Sequence, residues 1–324
     1  MTRKFAVAFA SAFVATLLGV ALNSHAKELT DVKITELAGK LKVEINGRLF
    51  TEYHHQQVPR PFFYPLIGPK QLPMTRNWPM KDVPDEEHDH PHHRSLWFTH
   101  GDVNGVDFWS EEPKAGKIVH EKFLKIQSSR STGTIKSQNK WIAPDGKVVC
   151  TDDRTFAIHA RPDERLIDFE ITIHASNGDL VFGDTKEGTM AIRLAETMRL
   201  KGKVGAGHIV NSEGVRDDAT WGKRADWVDY YGPIQGQTVG VAIFDHPNNP
   251  MHPTWWHVRD YGLFAANPFG VHEFEKKPKG TGDFKVSSGG SVTFRYRLVL
   301  HAGDEKQADI AAHYKAFVSQ SKSR

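Results

Sequence analysis

Cysteine is nearly missing from this 324-residue chain: Cys150 stands alone, so no internal disulfide forms and the core must hold the fold. Cys150 lies in Lys-Val-Val-Cys-Thr, which reads as a strand, and is expected to be buried and inert. There is no Gly-rich phosphate loop after a strand and no Gly-x-Ser-x-Gly elbow, so nucleotide cofactors and serine-hydrolase chemistry have no support. There is no basic run, no internal repeat and no low-complexity linker. After Leu22 no apolar run is long enough to span a bilayer.

The exception is the start. Arg3 and Lys4 precede an apolar run from Phe5 to Leu22, and Ser24-His25-Ala26 offers small residues where a signal peptidase cuts. Residues 1–26 are expected to be a secretory signal cleaved after Ala26, the alternative being an uncleaved anchor. Residues 27–324 then form a single periplasmic or secreted domain with no stable membrane insertion. Without Arg3 and Lys4, the 42 basic side chains fall to 40 against 39 acidic ones, a net charge of +1. Such a balance argues against a nucleic-acid partner.

Most of the remaining chain alternates. Leu-Lys-Val-Glu-Ile, Asn46-Gly47 and Arg-Leu-Phe-Thr-Glu-Tyr make a hairpin over 41–53. Ile167, Phe169, Ile171 and Ile173 alternate with Asp168, Glu170, Thr172 and His174, the period of a strand with one buried face. Further strands are expected at 117–126, 134–142, 148–159 and 239–244, with a last hairpin over 283–300. The proline-rich stretch 59–84 reads as a long ordered loop. Asp304 is expected to cap a helix to about Ser319, with Ile310, Tyr314 and Phe317 as its apolar stripe. The fold class is all-β: a large antiparallel two-sheet sandwich with a C-terminal helix.

Chemistry concentrates between His88 and Trp109, where five histidines, Arg94, three aspartates, Asn104 and two tryptophans fall together. A core strand needs no such polarity and a solvated loop no such aromatics, so the run points to a cleft. Asp184, Glu187 and Arg193 cluster around Gly183 and Gly188. The stretch 221–231, with Trp227, offers aromatic plates and carboxylates, and a second concentration of His, Trp, Arg and Asn over 245–273 holds His252, His257 and Arg259. The expected catalytic groups are His93, His100 and Glu187. The expected binding groups are His92, Arg94, Asp102, Asn104, Asp184, Arg193, Trp227, His252, His257 and Arg259.

Three chemistries fit. In the first, aromatic faces stack on a sugar while carboxylates, amides and arginine bond its hydroxyls. A histidine and a carboxylate across the site then act as acid and base, as in epimerisation, mutarotation or lyase chemistry. In the second, His88, His90 and His92, spaced by two, hold a transition metal with a third ligand from His54, His100 or His252. In the third, the protein only binds carbohydrate. No cofactor is required by the first or third. The oligomeric state is not legible.

The run from His90-Pro-His-His-Arg-Ser to Val-Asp-Phe-Trp109 resembles a family of secreted bacterial proteins of unknown function labelled methane oxygenase PmoA-like. Asp184-Thr-Lys-Glu-Gly188, Arg224-Ala-Asp-Trp-Val-Asp-Tyr230 and Tyr261-Gly-Leu-Phe-Ala-Ala-Asn-Pro-Phe-Gly270 extend the resemblance over nearly all of the mature chain. The layout is also similar to galactose mutarotase-type sandwiches, which implies a histidine acid and a glutamate base.

Overall fold

A computed structural model describes residues 1–2 and 31–321, so all but the first two residues of the expected signal lie outside the described residues. The chain builds two large sheets, antiparallel at every pairing. The first runs, in spatial order, Trp255–Val258, Leu263–Asn267, Gly188–Arg193, Leu96–His100, Phe62–Leu66, Arg48–His54, Lys40–Ile45, Asp31–Leu37 and Ser129–Arg130. The second runs His208–Asn211, Trp227–Ile234, Gln237–Asp245, Ser291–Ala302, Arg165–His174, Val148–Ala160, Thr132–Ile142 and Lys117–Gln127. This is the expected sandwich.

Alternation explains the layers. Ile167, Phe169, Ile171 and Ile173 face inward and are essentially inaccessible. They meet Tyr53, Phe63, Phe98 and Met190 from the other sheet. Cys150 sits in this core, where burial pushes its thiol well above the ordinary range. The hairpin turns as its sequence requires, with Asn46 and Gly47 both at positive φ (52° and 72°).

Three expectations are corrected. The stretch 59–84 contains a strand, Phe62–Leu66, wedged between Arg48–His54 and Leu96–His100. Pro65 sits in it because that strand pairs briefly and with a register irregularity, leaving room for a residue without an N–H. The last hairpin does not form: Phe284–Val286 pairs with Leu180–Phe182, and Ser291–Ala302 lies between Arg165–His174 and Gln237–Asp245. The C-terminal helix begins at Ile310, not after Asp304, whose carboxylate instead accepts the Lys306 and Gln307 amides of a turn. Ile310, Tyr314 and Phe317 do form its buried stripe, packed on Leu166, Ala242, Phe244 and Val299. Among the described residues no helix is long and apolar enough to cross a membrane.

Candidate functional site

The outer face of the first sheet is not left to water. Register aligns Phe62, Trp97, Ala191, Ala265 and His257 as partners across five adjacent strands. Their neighbours Leu96, Ile192, Ala266, Trp256 and Val258 belong to the inner core, so by strand alternation this row faces outward. Ala191 and Ala265 lie between Trp97 and His257 and are fully buried, in a cluster with Trp97, Trp109 and Leu263 that Tyr261 packs against. At roughly 4.8 Å per strand, the Trp97 and His257 backbones lie about 14 Å apart.

At the Trp97 end lies the histidine run. The His93 ring stacks on Trp97 (centroids 5.4 Å apart) and His90 stacks on His93 (4.7 Å). Tyr261 stacks on His90 in turn (5.1 Å), and His92 and Trp109 meet His93 edge-on. This segment is fixed by charge. Arg193, fully buried on its strand, donates to both Asp89 oxygens (2.8 and 3.0 Å), and Arg76 pairs with the same carboxylate. Burial alone would raise the Asp89 carboxyl, but His90 and the two arginines hold it well below the usual carboxylate range.

At the other end is His257. Its Nδ1 lies 2.7 Å from the Lys186 carbonyl. A carbonyl only accepts, so Nδ1 carries the proton and Nε2 presents its lone pair. Nε2 is buried and has no hydrogen-bond partner among the described residues. Burial, opposed by the Glu187 charge, pushes this imidazole down to about 4, so it is neutral at neutral pH. The half-buried Glu187 carboxylate also acts on His92 and Tyr261, which places it on the same side of the sheet. His93 is held in the other tautomer: the Arg193 guanidinium donates to its Nδ1 (3.0 Å), so the proton sits on Nε2. Burial first, then His92 and Arg193, keep this ring neutral. Trp221 and Phe274 flank His257, and Arg259 lies over the Trp221 and Tyr261 rings (5.9 and 5.4 Å).

Of the expected residues, His92, His93, Glu187, Arg193, His257 and Arg259 gather here, with His90 beside them. The others do not. His100 points inward and is fully buried against Phe182 and Phe269, its Nε2 donating to the Gly183 carbonyl (2.7 Å). Arg94 forms a two-pronged pair with Glu111 (2.7 Å each). Asp184 is a clamp accepting the His272 and Gly282 amides (both 2.8 Å). Asp102 and Asn104 shape a turn: Asp102 accepts the Gly105 amide, and Asn104 bonds Val181 and Asp179. Trp227 lies on the other sheet beneath the C-terminal helix. His252 is bound to the buried Asp245 (2.7 Å).

The candidate metal ligands do not form one group. His88 stacks on Trp78 and meets Asp82, away from the other two, while His90 bonds Asp89 and meets His92 edge to face (centroids 5.7 Å apart). His54, a candidate third ligand, instead bonds the Tyr64 carbonyl. Among the described residues no group of at least three His, Cys, Asp or Glu side chains is arranged to hold a metal ion. Asp89, Trp221 and Tyr261 lie here without having been named as site residues. Asp89 is inside the histidine run, Trp221 opens an aromatic-rich stretch and Tyr261 opens a segment that carries the family resemblance, so each lay in a marked segment without being singled out.

An antiparallel sandwich that carries a packed cluster of histidines, arginines and aromatic rings on the outer face of its first sheet is thus the class defined by fold and geometry. The chain belongs to DUF6807, a family of unknown function, whose model matches residues 40–315. No curated protein matches it. Among solved structures it is similar to an alpha-galactosidase from Lactobacillus brevis, at 10% identity and TM-score 0.37, covering 86% of this chain but 39% of that one. It is also similar to a galactose mutarotase related enzyme from Lactobacillus acidophilus (10% identity, TM-score 0.30, 83% and 97% covered). A galactose mutarotase-like protein from Clostridium acetobutylicum matches at 7% identity and TM-score 0.36, with 85% and 99% covered.

Proposed function

We propose that this outer-face site binds a carbohydrate and moves protons on it, in the manner of an epimerase, mutarotase or lyase. The observation that carries this reading is the His257 Nε2 lone pair: buried, neutral, fixed in one tautomer and without a partner among the described residues. A neutral imidazole with an unpaired nitrogen can take a proton from a substrate that enters past Trp221 and reaches Nε2. The charge of Glu187 supports the protonated ring. Glu187 is the partner acid–base group. Tyr261 and Trp221 supply flat faces for the C–H side of a pyranose, and His93 offers Nε2–H to a hydroxyl. With residues 1–26 read as a secretion signal, the substrate is periplasmic or extracellular.

The test is a panel of mono- and oligosaccharides incubated with the protein in D2O and followed by NMR for product and for solvent deuterium at carbon. His257→Gln and Glu187→Gln should each lower the rate roughly a hundredfold or more while the variants remain folded by circular dichroism. Binding without turnover, equal in wild type and both variants, would make the protein a carbohydrate binder instead.

A further inference from the structure

The arginines around the site are nearly all committed. Arg193 and Arg76 hold Asp89. Arg94 and Arg60 hold Glu111. Arg199 pairs with Glu87 and Glu196, and Arg224 donates to the Pro253 and Met251 carbonyls. Arg259 differs. Among the described residues its guanidinium makes no ion pair and no hydrogen bond; it rests on the faces of Trp221 and Tyr261. It follows His257 by two positions and its charge acts on that imidazole. It also lines a cavity of about 280 Å³ with Ile209, Asp218, Trp221, Val258 and Asp260; His257 is not part of that lining but lies on the far side of Trp221, ring to ring at 6.5 Å. Lys201 bridges both of those acids (2.6 and 3.3 Å), and Lys186 pairs with Glu187 (3.1 Å). The nearby carboxylates thus have cations of their own, and the Arg259 fork is left over. A planar guanidinium with its donors unused, laid between two aromatic rings, matches a carboxylate better than a hydroxyl.

We infer that the site takes an acidic sugar, its carboxylate held by Arg259 beside the His257 base. This rests on the carbohydrate reading above and deepens it. The chemistry is consistent with that placement. His257 Nε2 takes the proton from the carbon next to the carboxylate, and the C–H electron pair moves into the carboxylate as an enediolate. Arg259 opposes the charge that develops there. A proton from water adds to the opposite face and inverts that carbon, and the His257 imidazolium returns its proton to the hydroxide left behind. Alternatively, the bond to the β-oxygen breaks, a carbon–carbon double bond forms, and the departing oxygen takes a proton from water. No oxidant or reductant enters either route.

The experiment compares oligogalacturonate and oligomannuronate with their methyl esters, which keep the shape and remove the charge, and with neutral oligoglucose and oligogalactose. Binding to the full chain is measured by calorimetry in wild type, Arg259→Gln and Arg259→Lys. The acid should bind its wild-type site roughly tenfold or more tighter than the ester. Arg259→Gln should abolish that preference, and Arg259→Lys should retain part of it. Acid and ester binding equally, or a preference that survives Arg259→Gln, overturns this inference while the carbohydrate reading stands. No binding to any acid, ester or neutral sugar overturns both.

Discussion

His100 and His257 have the same side chain, and burial pushes both down to about 4. They differ in which face of the sheet they leave from. His100 faces the core, so His100→Ala should remove packing against Phe182 and Phe269 and cost about 2–5 kcal/mol of stability. Urea unfolding checks this, and an unchanged midpoint would contradict it. A third histidine, His301, is buried against Asp229 (2.9 Å). Burial alone would lower its pKa, but Asp229 raises it above the ordinary value. The protonated ring therefore stabilises the fold fully below about pH 6.5, and this contribution fades as pH rises through the raised value. The stability gap between wild type and Asp229→Asn should accordingly be widest below about pH 6.5 and narrow as pH rises through the raised value. The histidine run was legible as a cluster but not in its directions. His90 and Ser95 adopt positive φ (43° and 59°), so alternation, which assigns faces within a strand, fails just before Leu96.

Elements with a clean period were read from sequence because their pattern is local: the Asn46-Gly47 hairpin, the strand through Ile167 to Ile173, and the helix stripe. Elements defined by a distant partner were not. Phe284–Val286 pairs with Leu180–Phe182 about a hundred positions away, and nothing in either segment names the other. Phe62–Leu66 was hidden by its proline. The C-terminal helix is the element most open to test. It closes the outer face of the second sheet through Phe317, which packs near Phe244 (6.0 Å) and beneath Arg297 (4.9 Å). Phe317→Ala should cost about 3–5 kcal/mol in chemical denaturation, with the outer-face site on the other sheet still able to bind.

At the scale of the molecule, the second sheet ends in the long strand Lys117–Gln127, which exposes Val119 and Leu124. Such an edge invites pairing with another chain, and Lys117, Lys122 and Lys125 along it oppose that. Replacing Lys122 and Lys125 with valine should raise light scattering at concentrations where wild type stays clear. The site, by contrast, is assembled from segments far apart in sequence: the 88–97 run, the 186–193 strand and loop, the Trp221 loop and the 257–261 turn. Composition announced its chemistry, and only register brought the pieces together.

The stack of Trp97, His93, His90 and Tyr261, with Trp109 at its side and Trp221 beside His257, gives this site a built-in optical signal. Neutral imidazoles and a cation lie against these indoles, so their emission depends on what shares the space. A molecule entering the cavity that Trp221 and Arg259 line changes the surroundings of that indole and alters its emission without any label. Titrating intrinsic fluorescence therefore reports occupancy directly, and Trp221→Phe should remove the larger share of the change.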